Sequence, residues 1–535
     1  MRRAIIVILA LAVIIAVPFI LKPKQNFLTK ADDTLVIISP HNEAIRYEFT
    51  RAFTEYYKNK TGRTIRIDWR LPGGASEIAR YLTSEYYAAF QNAWQTSGRQ
   101  WTFEVQSSFD NSSVTLPKDA ALDNTAQSAR RAFLASDVSI GIDLFFGGGT
   151  YDFIQQAKAG RLVDCGLISK LPSIFNDNSI PQMVSGGAFY DPQGRWLGTC
   201  LASFGICYNT DSLKRLGIDT IPAAWSDLAN PRLAHQVALA DPTKSGSAAK
   251  TFEMIIQQQI QEQVSKSGAS TDAAKKESLA KGWLLGMQLI QRISANARYF
   301  TDGAPRVPMD VSQGDAAIGM CIDFYGRFQS ETIKLSDGTS RLHYFTPAGG
   351  SSVDADPIGL LRGAPNSEAA KLFLEFVLSL EGQKLWNFKV GTPGGPTHYA
   401  LRRLPIRKEL YLPEFTQYRS DPDVDPYAEA KLFTYHEGWT GPIFRAMTFV
   451  IRVMCLDTND ELQNAWHALI AANFPPLAMA RFSDLSAVDY ATTFTTIRDA
   501  LRSGDRIKEI QLAKTLGDHF RTQYREATEL AKEGK

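Results

Sequence analysis

Along this chain an apolar strand repeatedly runs into glycine or serine and then straight into a helical pattern, and few folds accommodate that order. In the clearest copy Ile142, Asp143, Leu144, Phe145 and Phe146 lead into Gly147, Gly148 and Gly149. Tyr151, Phe153, Ile154 and Ala157 then follow helical spacing up to Gly160. A strand that ends in glycines before a helix leaves bare backbone N–H groups at the carboxyl edge of a sheet, where open α/β sheets bind ligands. One such turn could serve without a ligand, so recurrence decides. Residues 35–39 form a short strand followed by His41 and Asn42, with Asn42 as cap of a helix carrying Ile45, Phe49, Phe53 and Tyr56 and stopped by Gly62. Residues 64–70 alternate like a strand. Gly73, Gly74 and Ser76 then precede a helix with Ile78, Leu82, Ala89 and Ala93 on one face, Ser76 being its expected cap. A further copy places Ser245, Gly246 and Ser247 before a helix with Ala248, Phe252, Ile255 and Ile260. There the amides and the helix dipole favour an anion, although Ser245 could equally act as a plain cap. The pattern is α/β architecture of the parallel kind.

Between these units residues 196–217 read as a long strand-like run, with Ser203 near its middle. Residues 316–323 form an apolar strand ending in Asp323, Phe324, Tyr325, Gly326 and Arg327, where Asp323 and Arg327 suit either a ligand or a mutual surface pair. Residues from about 95 to 137 read as a polar, less regular insertion with no assignable chemistry. From about residue 439 amphipathic stripes appear (Phe444, Met447, Ile451 and Met454, then Ile507, Ile510, Leu516 and Phe520) and read as core-facing helices.

At the N-terminus Arg2 and Arg3 precede an unbroken apolar run over residues 4–21, about 27 Å long as a helix and so close to a bilayer's hydrocarbon thickness. No small-x-small site closes that run and no cysteine follows it. The reading is an uncleaved signal-anchor, with a cleaved signal peptide as runner-up, and either one exports the rest of the chain. With 58 basic and 56 acidic residues the formal charge is +2. The dispersed Lys and Arg leave no nucleic-acid footprint. The five cysteines lack metal-ligand spacing. Cys200 and Cys207 would stand about 23 Å apart on an extended strand, too far for a disulfide, so all five read as small core residues.

The ordered set of motifs, with strand 35–39 before His41, the Gly74–Ser76 loop, the triple glycine, the 196–213 run, the Ser245–Ser247 loop, and the strands and helices over 316–327 and 356–386, resembles bacterial periplasmic solute-binding proteins of ABC importers. The nearest branch is the ferric-ion, phosphonate and phosphoglycerate group. The resemblance covers roughly residues 33–410. It implies a periplasmic binding protein type II-like α/β fold of two lobes joined by a two-strand hinge, and the helical C-terminal extension and N-terminal transmembrane anchor read from the residues lie outside it. The implied division is signal-anchor 1–30, lobe 1 over 31–198, lobe 2 over 199–345, a return to lobe 1 over 346–438 and the extension over 439–535.

By the same resemblance the expected ligand set is His41, Asn42, Gly74, Ser76, Gly147, Gly148, Gly149, Ser203, Ser245, Gly246, Ser247, Asp323, Tyr325 and Arg327. The implied ligand is a small anionic solute: a phosphonate, phosphate ester or carboxylate. Ferric iron held by His41, Asp323 and Tyr325 is the alternative, and it is a thin set for so hard a cation. Expected partners are an inner-membrane ABC permease and the membrane itself, with no nucleic acid, no cofactor and a monomeric state. Two other classes share the scaffold: an enzyme using Cys200 or Cys321 as nucleophile, and a membrane-tethered sensor input.

Overall fold

The structure, a computed structural model, describes residues 31–268 and 271–535. The expected anchor over residues 1–30 lies outside the described residues. Thirteen strands follow in order: β1 (Asp33–Ile38), β2 (Ile65–Arg70), β3 (Leu144–Phe146), β4 (Leu162–Val163), β5 (Met183–Val184), β6 (Gly187–Ala188), β7 (Leu197–Asn209), β8 (Val237–Ala240), β9 (Ala297–Thr301), β10 (Ile318–Ile322), β11 (Leu342–Phe345), β12 (Val353–Leu361) and β13 (Leu404–Pro405). All but the β5–β6 hairpin belong to one sheet of order β2-β1-β3-β12-β7-β10-β8-β9, with β11 and β13 also on β7 and β4 on β12.

Strand β7 carries the architecture. All thirteen of its residues are buried, as an apolar run flanked on both sides requires. Its first half pairs with β12 and β13, Val353 lying opposite Ser203 and Leu404 opposite Leu201. Its second half pairs with β10 and β11, Gly319 and Tyr344 both lying opposite Cys207. One strand therefore belongs to both lobes, and β11 and β12 flank the chain's return. In lobe 1, β1 sits between β2 and β3 in parallel register (Leu35 with Ile67, Ile37 with Leu144). In lobe 2, β8 sits in parallel between β9 and β10.

Helix α1 (Glu43–Thr61) starts where the Asn42 side chain accepts the Ile45 amide at 3.1 Å and ends at Gly62, whose φ of 73° suits glycine. Helix α2 (Ala75–Thr96) is capped by Gly74, not by Ser76, with Glu77 reaching back to the Gly74 amide at 2.9 Å. Its buried stripe is Ile78, Leu82, Tyr86, Phe90 and Trp94. The large aromatics win the inner face, and Ala89 and Ala93 lie off it. The stretch read as irregular contributes α3 (Phe103–Ser108) and α4 (Thr125–Ala135). Phe109 and Phe133 from it pack on Phe90 at 5.0 and 5.3 Å, so the insertion completes a core beside α2. Helix α5 (Thr150–Ala159) follows β3, and α6 (Gly246–Ser267) and α7 (Asp272–Ala295) cover lobe 2. Then come α8 (Asp323–Thr332), α9 (Ser367–Leu378) and α10 (Leu380–Asn387).

The tail adds α11 (Phe444–Ile451), α12 (Asn459–Ala471), α13 (Pro476–Phe482) and α14 (Arg506–Lys532). It shares one hydrophobic core with lobe 2. The Trp283 and Gln291 side chains of α7 donate to Val488 O (3.0 Å) and Phe482 O (2.8 Å). Met447, Ile451, Met454, Leu516 and Phe520 are buried as expected, but Ile507 and Ile510 are 67% and 57% exposed, because α14 overhangs the core at its start. Among the described residues one helical run, Glu437–Leu456, is long and apolar enough to cross a membrane, and most of it is buried in this core.

To reach lobe 2, residues 433–444 run beside the hinge. The Tyr435 amide donates to Ser185 O in the β5–β6 turn at 2.7 Å, and its hydroxyl donates to Glu253 Oε1 of α6 at 3.0 Å. Lys250 lies 3.6 Å over the Tyr435 ring and pairs with Glu253 (2.8 Å) and with Asp354 of β12 (3.3 Å). The five cysteines are free and buried.

Candidate functional site

Three of the glycine and serine corners meet. A Cβ added at Gly148 would lie 2.7 Å from the Ala75 Cβ, one at Gly74 would lie 3.2 Å from Lys244 O, and one at Gly246 would lie 3.6 Å from Asp152 Oδ2. The starts of α2 and α5 in lobe 1 thus face the start of α6 in lobe 2 at contact distance. At Gly148, where φ is 125°, only glycine permits so close an approach.

The triple glycine is less bare than its sequence implies. The Gly147 amide donates to Pro357 O at 2.8 Å and the Gly148 amide to Asp356 Oδ1 at 2.7 Å. The returning strand β12 supplies both acceptors. Gly149 begins α5 without a side-chain cap, so the first-turn amides remain the donors this corner offers. Gly74 starts α2 in the same way, beside half-buried Ser76. At α6 the Ser245 hydroxyl accepts the Ala248 amide at 3.3 Å, as a plain cap would, with Gly246 and Ser247 beside it.

Behind the glycines lies a buried charged cluster. Asp356 accepts an ion pair from Arg403 Nη2, and Arg403 Nη1 stands 3.2 Å from His41 Nε2. A guanidinium can only donate, so Nε2 accepts and the imidazole proton sits on Nδ1, which is buried and finds no hydrogen-bond partner among the described residues. Burial lowers the pKa of His41, chiefly by disfavouring its charged form, and the imidazole is neutral. Asp356 is buried too, but the Arg403 guanidinium and the Gly148 amide hold its carboxyl below the usual range. The Arg403 guanidinium, 1% exposed, lies 3.9 Å over the Phe324 ring at the start of α8, so a lobe 1 residue touches lobe 2. Arg402 makes a second crossing, to Glu331 Oε2 at 3.0 Å. Nearby Tyr325 is half-buried, and burial pushes its phenol up to about 12.

Other expected ligands are already engaged. Asp323 and Arg327 pair at 2.9 Å, not at the surface but buried, and Asp323 Oδ1 also accepts the Phe324 amide at 2.7 Å. Ser203 Oγ shares a hydrogen bond with Thr346 Oγ1 at 3.0 Å. Asn42 is exposed and its oxygen caps α1. Sequence reasoning missed Asp356, Arg403 and Asp152. An acid at the head of the apolar run after Ala355 was the available sign for Asp356. Asp152, at the start of α5, is half-buried, and burial pushes its carboxyl up to about 7. Cys200 and Cys321 are fully enclosed, and burial raises both thiols, so neither offers a thiolate.

The chain is similar to several known proteins. An uncharacterized protein of Haemophilus influenzae is 27% identical over 247 residues, which span 45% of this chain and 60% of that protein's length. Among solved structures, the periplasmic binding protein AfuA of Actinobacillus pleuropneumoniae, with fructose-6-phosphate bound, aligns at 17% identity and a TM-score of 0.47 over 75% of this chain and 94% of its own. Iron-bound HitA of Pseudomonas aeruginosa aligns at 16% identity and a TM-score of 0.44 over 78% and 99%. The family of bacterial extracellular solute-binding proteins matches residues 139–410, a little over half of the chain, from the triple-glycine strand through the hinge and lobe 2 to the end of β13. By that match, and by two α/β lobes sharing strand β7, the chain belongs to the bacterial extracellular solute-binding protein family.

Proposed function

We propose that the protein captures a small anionic solute (a phosphonate, phosphate ester or carboxylate) between its lobes on the outer side of the inner membrane and delivers it to an ABC permease. The observation carrying this reading is the Arg403–His41–Asp356 cluster directly behind the Gly147–Gly149 corner. A buried guanidinium lies behind two lobe 1 helix starts that carry no side-chain cap, and a third helix start from lobe 2 faces them. Donors from both lobes give the closed state a differential affinity for an anion, which is what closure requires.

Ferric iron fits the same residues poorly. The free electron pair of His41 is turned to Arg403, Asp323 is held by Arg327, and Tyr325 keeps its proton. A trivalent cation beside an enclosed guanidinium also meets direct repulsion. Residues 1–30 would hold the protein at the membrane. A thermal-shift panel of phosphonates, sugar phosphates, carboxylates and Fe(III) tests the proposal. At a hundred times its Kd the solute stabilises the fold by about 2.7 kcal/mol. A shift with Fe(III) alone would refute the anion reading.

A further inference from the structure

We propose that the junction of lobe 2 with the helical tail holds a second binding site, separate from the interlobe corner, for a small carboxylate with an aromatic or branched apolar body. A cavity of about 340 Å³ opens there, lined by Asn230 from lobe 2, Leu289 and Arg292 of α7, Trp466 of α12, Phe474 in the turn after it and Met479 of α13. The size falls at the lower end of small-molecule sites, about 300–1,000 Å³.

Arg292 is the anomaly. Among the described residues its half-buried guanidinium makes no hydrogen bond or ion pair, and Nε is buried without an acceptor. The buried arginines Arg161 and Arg403 also leave Nε without a partner, but their terminal nitrogens are answered by Asp110 and Asp356, as those of Arg327 are by Asp323 and those of Arg130 by the carbonyls of Phe109 and Lys158. A half-buried guanidinium without an acceptor gains from one, and a carboxylate matches its fork with two oxygens. Burial accordingly lowers the Arg292 pKa.

The walls select the rest of the ligand. Trp466 is fixed by its indole N–H to Asn296 Oδ1 at 2.8 Å and stacks on Phe482. Asn473 and Phe474 hold φ of 57° and 59°, a left-handed conformation that an aromatic residue rarely adopts, and this turn sets the Phe474 ring 5.5 Å from Trp466. One cation among aromatic and aliphatic walls suits a monoanion with an apolar body and leaves a phosphate dianion short of donors.

Calorimetric titration of the full chain with phenylacetate, 4-methylvalerate and the neutral isostere phenylacetamide tests this. Phenylacetate or 4-methylvalerate binds, phenylacetamide binds much more weakly, and Arg292→Met weakens carboxylate binding about tenfold or more. Because Arg292 has no native partner, Arg292→Met melts no lower than the wild type. Arg403→Met keeps the phenylacetate affinity, which separates this site from the interlobe one. The proposal is overturned if neither carboxylate produces heat, if the amide binds as well as the acid, if Arg292→Met melts lower, or if Arg403→Met rather than Arg292→Met abolishes binding.

Discussion

Replacing Arg403 by Met tests the centre of the proposed site. The methionine side chain fits between the Phe324 and Trp386 rings that the guanidinium now faces at 3.9 and 5.5 Å, so the change removes charge with little loss of packing. It strands the Asp356 carboxylate, 8% exposed, with only the Gly148 amide and the edge of His41 for company. Breaking a buried pair from one side costs about 3–5 kcal/mol. The surviving amide bond places this case near the lower end, about 3 kcal/mol at pH 7. The dependence on pH has a definite sign. Asp356 has a depressed folded-state pKa, so its stabilising contribution is present above the unfolded carboxylate value, about 3.9, and is lost as pH falls through the folded value. Removing Arg403 raises that folded value, and the gap between variant and wild type narrows in acid. Urea unfolding followed by circular dichroism from pH 4 to pH 8 measures both effects. Arg403→Met combined with Asp356→Asn regains most of the loss, as a coupled pair must. A single variant as stable as the wild type at pH 7, or a double variant no better than the single, would refute the reasoning.

Two further perturbations probe the corner. Asp152 has a folded pKa raised to about 7 by burial, so the native state binds more protons than the unfolded chain between about pH 4 and 7, and its ionisation destabilises the fold as pH rises through that window. Asp152→Asn therefore raises the melting temperature at pH 8 and leaves it unchanged at pH 4; equal shifts at both values would contradict the assignment. At Gly147, where φ is 94° and an added Cβ would lie 2.5 Å from His41 Nε2, alanine costs about 1–3 kcal/mol and displaces the imidazole. Gly149→Ala, at φ −88° with nothing within 4 Å, leaves unfolding by urea unchanged.

Local chemistry was legible in the sequence where one residue does a local job. Asn42 and Ser245 cap their helices, Gly62 and Gly160 end theirs, and the run from Leu197 to Asn209 is the strand both lobes share. The order of strands, glycines and helices also sufficed for the α/β architecture, and the family resemblance supplied the two lobes. What escaped was everything decided by distant partners. The amides of Gly147 and Gly148 look free until β12 returns some 200 residues later with Pro357 O and the Asp356 carboxylate. Arg403 sits in a loop with no periodicity and acquires meaning only beside His41, 362 positions away. The spacing of Asp323 and Arg327 suits a surface pair and ligand donors equally and says nothing about burial. The aromatic residues of the insertion, Phe109 and Phe133, found their use only once α2 presented Phe90 and Trp94 to them.

Tyr435 gives the clamp a mechanical property that two connecting strands would not supply. Its backbone is tied to Ser185 on one half of the molecule and its hydroxyl to Glu253 on the other, so a single residue spans the divide. Any motion that draws Ser185 away from Glu253 must break one of those bonds, whereas rotation pivoting on that span leaves both intact. The third pass of the chain thereby constrains the axis about which the halves could swing, and under the proposed function a solute would enter and leave along the path that this axis permits.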